Sequence, residues 1–143
     1  LPGGAEEKCS PYFAPLEEKL DELIPQGQIN MLKQENIINA GPINYLRGRT
    51  LEGFVVVDEA QCLDFKELTT VITRLKEGAK MIFLGDISQQ QDIKHSGFKD
   101  FYKLFDNEES RQNGIFCLSF GKEDIKRSRI LRFVCEKIES FQK

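Results

Sequence analysis

The stretch Gly53-Phe54-Val55-Val56-Val57-Asp58-Glu59-Ala60-Gln61 constrains the fold of this 143-residue chain more than any other. Four consecutive apolar residues, three of them valine, run directly into two carboxylates. β-Branched side chains favour extended backbone, and a short run without polar alternation fits a strand buried on both faces, as in a parallel sheet. Unpaired carboxylates are costly in an apolar layer, so Asp58 and Glu59 are expected at the strand's exit. Ligands of open α/β sheets bind at the carboxyl ends of strands, which makes this edge the first candidate for chemistry.

The surrounding pattern supplies the rest of such a sheet. Asp64-Phe65-Lys66-Glu67 has capping-box spacing, and Leu68, Val71, Ile72 and Leu75 follow at helical intervals, so a helix is predicted over 64–77 with Gly78 at its stop. Met81-Ile82-Phe83-Leu84 reads as a second buried strand, ending in Gly85-Asp86, and Ile115-Phe116-Cys117-Leu118 as a third. Phe13, Leu16, Leu20 and Leu23 predict an early helix closed by Pro25, with residues 1–10 a loop and residues 26–34 uncommitted. Ile37-Ile38-Asn39-Ala40 is expected as a short strand, and Ile43–Leu51 as a helical turn running into a basic loop. Gly97–Phe105 is expected as a helix and residues 106–114 as a charged loop. Ser128 offers an N-cap to a last helix bearing Leu131, Val134, Ile138 and Phe141. Strands alternating with helices imply an α/β fold with a mostly parallel sheet, in one domain covering 1–143.

Bulk properties exclude several classes. The hydrophobic and charged fractions, 40% and 30%, are those of an ordinary globular protein, and the net charge of −3 gives no global attraction to nucleic acid or anionic membrane. Seven bases against four acids in residues 120–143 leave room for a phosphate-facing patch or a plain solvated helix face. The four cysteines are scattered without a C-x-x-C pair, and there is a single histidine, His95, which has no assigned role. Reduced thiols and a cytoplasmic location are expected, rather than zinc or a disulfide framework. No apolar run approaches the roughly 20 residues of a membrane span.

Two acids, Asp58 and Asp86, each ending a buried strand, fall along one sheet edge. A hydrophobic strand ending in Asp-Glu is the Walker B pattern of P-loop ATPases, in which the Asp serves the Mg²⁺ shell and the Glu polarises water as general base. Strands also end in Asp-Glu for solubility alone. Gly85-Asp86-Ile87-Ser88-Gln89 adds an amide three residues past the second acid, able to sense a γ-phosphate without adding charge. The order hhhhDExQ, helix, hhhhGDxxQ is that of motifs II and III in superfamily 1 helicase-type ATPases.

With these residues in view, the chain resembles the PhoH family of phosphate-starvation-type ATPases over nearly its full length. Leu1-Pro2-Gly3-Gly4, Glu7-Lys8 and Pro11-Tyr12 resemble the family's opening segment. Arg47-Gly48-Arg49-Thr50-Leu51 followed by Asp58-Glu59-Ala60-Gln61 is similar to its RGRTL and DEAQ signature. Thr73-Arg74-Leu75, Gly78, Lys80 and Gly85-Asp86-Ile87-Ser88-Gln89 continue the match, and Phe120, Asp124 and Arg127 resemble a late segment whose histidine is Ser128 here. The resemblance implies a three-layer RecA-like core binding ATP with Mg²⁺. Asp58 would lie on the metal shell, Glu59 would be the base, and Gln61 and Gln89 the sensing amides, with Asp86 beside the nucleotide. Arg127 would be an arginine finger in a ring-like homo-oligomer, unless it is a helix-flanking surface charge. Arg47 and Arg49 would face RNA or single-stranded DNA phosphate or a neighbouring subunit, unless they sit in a solvated turn.

The phosphate-cradling loop G-x-x-x-x-G-K-[ST] is missing from the chain. In the family that loop lies upstream of the LPG segment, so the sheet is expected to lack the strand that feeds it, and the chain alone to hydrolyse ATP poorly or not at all. Two other readings remain. One is an Mg²⁺-dependent phosphohydrolase using Asp58, Glu59 and Asp86 as ligands; the other is a non-catalytic module binding nucleic acid or a protein.

Overall fold

The structure, a computed structural model, describes residues 5–46, 48–87, 95–121, 124 and 129–141. It is mixed α/β and divides into two units, residues 1–101 and 102–143. Helices α1 (Ala5–Asp21) and α2 (Gln26–Gln34) open the first unit. Helix α1 is longer than expected: residues 5–10 are helical rather than loop, and Pro11 and Pro15 lie inside it. Each proline lacks the N–H that would donate four residues back, so Pro15 leaves the Pro11 carbonyl without its ladder bond. The α1–α2 pair is closed by tertiary contact. Ile29 and Phe13 are buried, and Lys33 lies 4.4 Å above the Phe13 ring while pairing with Glu17 at 3.1 Å.

The strand expected at Ile37–Ala40 is not formed. That segment instead finishes α2: Asn36 turns left-handed at φ 54°, and the amides of Ile37 and Ile38 fold back to the Leu32 carbonyl. A 3-10 turn at Ile43–Leu46 follows.

The centre of the unit is a βαβ unit. Strands β1 (Phe54–Val57) and β2 (Lys80–Phe83) pair in parallel with Val56 opposite Ile82, and helix α3 (Phe65–Ile72) connects them. The capping box is present in both directions: the Asp64 carboxylate accepts the Glu67 amide at 2.7 Å, and the Glu67 carboxylate accepts the Asp64 amide at 3.0 Å. The helix stops at Ile72, short of 77, for two reasons. Thr69, Thr70 and Thr73 bend their hydroxyls onto carbonyls four residues back, and the backbone of 74–76 is claimed by Leu51, through Leu51 N–H to Arg74 O and Lys76 N–H to Leu51 O, both 2.8 Å.

The two faces of the sheet differ, contrary to the expectation of burial on both. One face packs against α3 and α4 (Phe98–Phe105): Leu68 and Val71 are inaccessible, Val57 is buried, and Phe101 sits edge-on to both Phe65 and Phe83. On the other, Phe54, Val56, Ile82 and Leu84 remain 42–64% exposed. Among the described residues the sheet has two strands, and no layer covers that second face.

In the second unit, the expected charged loop contains a short helix, α5 (Glu108–Gln112), capped by the Asn107 side-chain Oδ1, which accepts the Ser110 amide at 2.9 Å. Residues Ile115–Leu118 are not a strand: Phe116 and Leu118 are exposed, and the Cys117 thiol donates to the Tyr102 carbonyl at 3.7 Å. An apolar run becomes a strand only where a neighbouring backbone accepts its ladder, and no such neighbour lies here among the described residues. Helix α6 (Arg129–Phe141) closes the chain with Leu131, Val134 and Ile138 exposed, and its expected cap, Ser128, lies outside the described residues. No described helix is long and apolar enough to cross a membrane.

Candidate functional site at the carboxyl ends of the strands

Asp58 and Glu59 lie immediately beyond β1 and are exposed, as expected of charges leaving an apolar strand. The Asp58 carboxylate accepts the Glu59 amide at 2.9 Å, which fixes its orientation at the strand tip. Glu59 then takes the left-handed conformation, φ 52° and ψ 39°, and reverses the chain into the 3-10 turn Ala60–Cys62. For a residue with a Cβ this costs on the order of 1 kcal/mol, so surrounding contacts must hold it there.

Those contacts come from the turn and from β2. The Ala60 amide donates to the Leu84 carbonyl at 2.8 Å, and the Leu84 amide to the Val57 carbonyl at 2.8 Å, so the strand tips are stitched together beyond the regular ladder. Gln61, 2% exposed, lies across the gap. Its Nε2 donates to the Glu59 carboxylate at 2.6 Å, and its Oε1 accepts the Asp86 amide at 3.1 Å. One buried amide therefore joins the two acid-bearing segments, 25 residues apart in sequence.

Two glycines let neighbouring backbone approach this edge. A Cβ on Gly85 would meet the Phe98 ring at 2.6 Å, and one on Gly97 would overlap the Phe65 amide nitrogen. The Gly97 amide donates to the Leu63 carbonyl at 2.9 Å, so Asp86 and Gly97 are both anchored on the turn that follows Asp58-Glu59. Sequence reasoning did not assign Gly97 a role; its position at the head of a helix beside a buried aromatic was the available signal.

Asp58, Glu59, Gln61 and the Asp86 backbone are thus brought to one edge. Among the described residues neither Asp58 nor Glu59 has a basic partner. Arg49 is not part of this edge. It is exposed and lies ahead of β1, on the amino-terminal side of the strand whose carboxyl end carries Asp58 and Glu59. Arg47, Gln89 and Arg127 lie outside the described residues. Cys62 and Cys117 are free thiols, and burial pushes Cys117 above its ordinary value, away from reactivity.

The exposed Asp58 carboxylate, with one oxygen engaged by a backbone amide, suits a divalent cation that takes one protein carboxylate and fills its shell with phosphate oxygens and water. Asp58, Glu59 and Asp86 do not form a three-ligand group able to hold a metal by themselves.

This is the carboxyl edge of a parallel βαβ unit with acids at both strand tips, the position at which open α/β sheets bind ligands. The family model described as PhoH-like protein matches residues 1–139. A PhoH-like protein of Synechocystis is 34% identical over 97% of the chain, Protein PhoH of Escherichia coli K12 is 36% identical over 91%, and a PhoH-like protein of Bacillus subtilis is 40% identical over 62%. The chain belongs to the PhoH-like family. It spans 42%, 37% and 28% of the length of those three relatives.

Proposed function

We propose that this chain is the Walker B and motif III portion of a PhoH-like ATPase, whose nucleotide site lies at the carboxyl ends of β1 and β2 in a three-layer RecA-like core. The observation that carries this reading is the Gln61 amide bridging Glu59 to the Asp86 backbone, because it holds the DEAQ segment and Asp86 on one edge in fixed relation. Asp58 would hold Mg²⁺, which supplies charge neutralisation for ATP phosphates when bound. Glu59 accepts the proton of the attacking water, and Gln89, three residues after Asp86 in sequence, is assigned to the phosphate end. Arg127 is assigned to the phosphates across a subunit interface. Arg47 and Arg49, ahead of β1, are assigned to RNA, single-stranded DNA or a neighbouring subunit.

The open face of the sheet fits this reading, since an FVVV strand suits apolar layers on both sides and the relatives carry substantial further sequence. Among the described residues Asp58, Glu59 and Asp86 do not make a self-sufficient three-carboxylate cluster, which favours the ATPase reading over the phosphohydrolase alternative. The test is ATP turnover by the natural full-length protein with Mg²⁺. Glu59→Gln is expected to lower kcat by about 10²-fold or more, in the range of a lost general base. Wild-type turnover in that variant would overturn the assignment.

A further inference from the structure

We infer that Gln61 is a positioning residue, which sets the Glu59 carboxylate by reference to the main chain of the second strand and does not itself contact the nucleotide. The inference rests on the ATPase reading above and refines the role of one of its residues. Both polar ends of the amide are already engaged within the protein: Nε2 on Glu59 at 2.6 Å and Oε1 on the Asp86 N–H at 3.1 Å. The side chain is 2% exposed, so a ligand at the edge meets Glu59 and Asp58 before it meets Gln61. To reach a phosphate, the buried Gln61 side chain would have to give up both of these hydrogen bonds together.

The backbone is arranged for this bond. Left-handed Glu59 turns the chain so that the side chain two residues later points back across the strand tips. Ala60, fully buried and bonded to the Leu84 carbonyl, fixes the turn from which Gln61 projects. A shift of the Asp86 main chain is thereby delivered to the Glu59 carboxylate through one side chain. No other residue type supplies both a donor and an acceptor at that reach in a neutral group: glutamate keeps the acceptor and loses the donor, and methionine loses both.

The experiment uses the natural full-length protein with three variants, Gln61→Glu, Gln61→Met and the swap Glu59→Gln/Gln61→Glu, beside Glu59→Gln alone. Gln61→Glu puts a second carboxylate against Glu59 and should lower the melting temperature. The swap restores a donor–acceptor pair with the roles exchanged and should recover that loss, a readout independent of activity. Hydrogen exchange at the Asp86 amide should quicken in Gln61→Met and stay slow in the swap. In turnover, Gln61→Glu should lose about 10²-fold in kcat, the scale of a group displaced by about 1 Å, while KM for ATP and Kd for a non-hydrolysable ATP analogue stay within about threefold. A rise in KM or Kd with kcat kept would place Gln61 on the nucleotide and overturn the inference. Absence of thermal recovery in the swap would overturn it as well. If Glu59→Gln is inactive while Gln61→Glu turns over normally, this inference alone falls; if Glu59→Gln is fully active, the ATPase reading falls and takes the inference with it.

Discussion

The two ends of the short parallel sheet are closed by different means. At the amino end, the chain before β1 is tied to the chain before β2 by main-chain bonds between Leu51 and residues 74–76, and by an exposed Lys76–Glu52 pair at 2.8 Å. Its tight point is a glycine, Gly53, with φ 75° and open space around it. At the carboxyl end the left-handed residue is a glutamate, the bridge is a buried glutamine, and the close approach is a glycine seated on backbone. The amino end places its positive-φ position at a glycine, which carries no Cβ penalty. The carboxyl end accepts strain and a buried polar group to hold a carboxylate in one place, and such arrangements are characteristic of functional edges.

The sharpest way to break this comparison is to remove a charge from each end of the natural full-length protein. Asp58→Asn is expected to reduce Mg²⁺-dependent ATP turnover by about 10²-fold or more, the scale of a lost electrostatic stabiliser, while Arg49→Ala leaves turnover within a few-fold. Equal losses from the two would mean that the amino end also belongs to the proposed nucleotide site. Arg49→Ala should instead weaken RNA or single-stranded DNA binding and lower its salt dependence by about one phosphate contact, read by titration at several salt concentrations.

Next in size is a pair of glycine substitutions followed by thermal or urea unfolding. Gly97→Ala drives a methyl into the Phe65 amide and is expected to cost about 2–4 kcal/mol, in the upper range of overpacking effects. Gly53→Ala meets no atom within 4 Å, so its cost is the left-handed backbone alone, roughly 1–2 kcal/mol. A reversal of that order would contradict the packing described at the carboxyl edge.

The smallest effect belongs to the surface ion pair. The Lys76 ammonium holds the Glu52 carboxyl below its ordinary value, and Glu52 raises Lys76. The depressed carboxyl contributes stability at pH values above the ordinary carboxylate range, and that contribution is lost as pH falls through its lowered value. The raised lysine contributes below the ordinary lysine range and loses its contribution as pH climbs through the raised value. Lys76→Met should therefore leave the melting temperature nearly unchanged at neutral pH and remove a small acid-side slope. A large neutral-pH loss would show that the amino end relies on charge more than its exposure implies.

What the sequence revealed follows from how local each determinant is. The capping box at Asp64 and Glu67 and the hydrophobic runs of β1 and β2 are written in consecutive residues, and they form where expected. The early end of α3 was not legible, because it depends on Leu51 claiming the backbone of residues 74–76 from across the unit. Ile37–Ala40 and Ile115–Leu118 are apolar enough for strands, but a strand is a property of two segments, and the described residues give neither a partner. Within the site, Asp58 and Glu59 could be placed at the strand exit from charge alone. The bond from Gln61 to the Asp86 amide could not, since it joins positions 25 residues apart by a contact that exists only once β1 and β2 have paired.

The left-handed backbone of Glu59 has a consequence for how this chain can change. Glycine at 59 would release roughly 1 kcal/mol of backbone strain, yet it would strand the buried Gln61 amide at a similar cost. Glycine at 59 alone is therefore close to neutral, and the released strain appears as a gain only when an apolar residue at 61 removes the stranded amide as well. Under the proposed ATPase function, a lineage released from that reaction would be expected to lose both residues as a couple and gain stability in doing so. A lineage that keeps the proposed reaction would keep both, because the Glu59 carboxylate is the group the Gln61 amide holds.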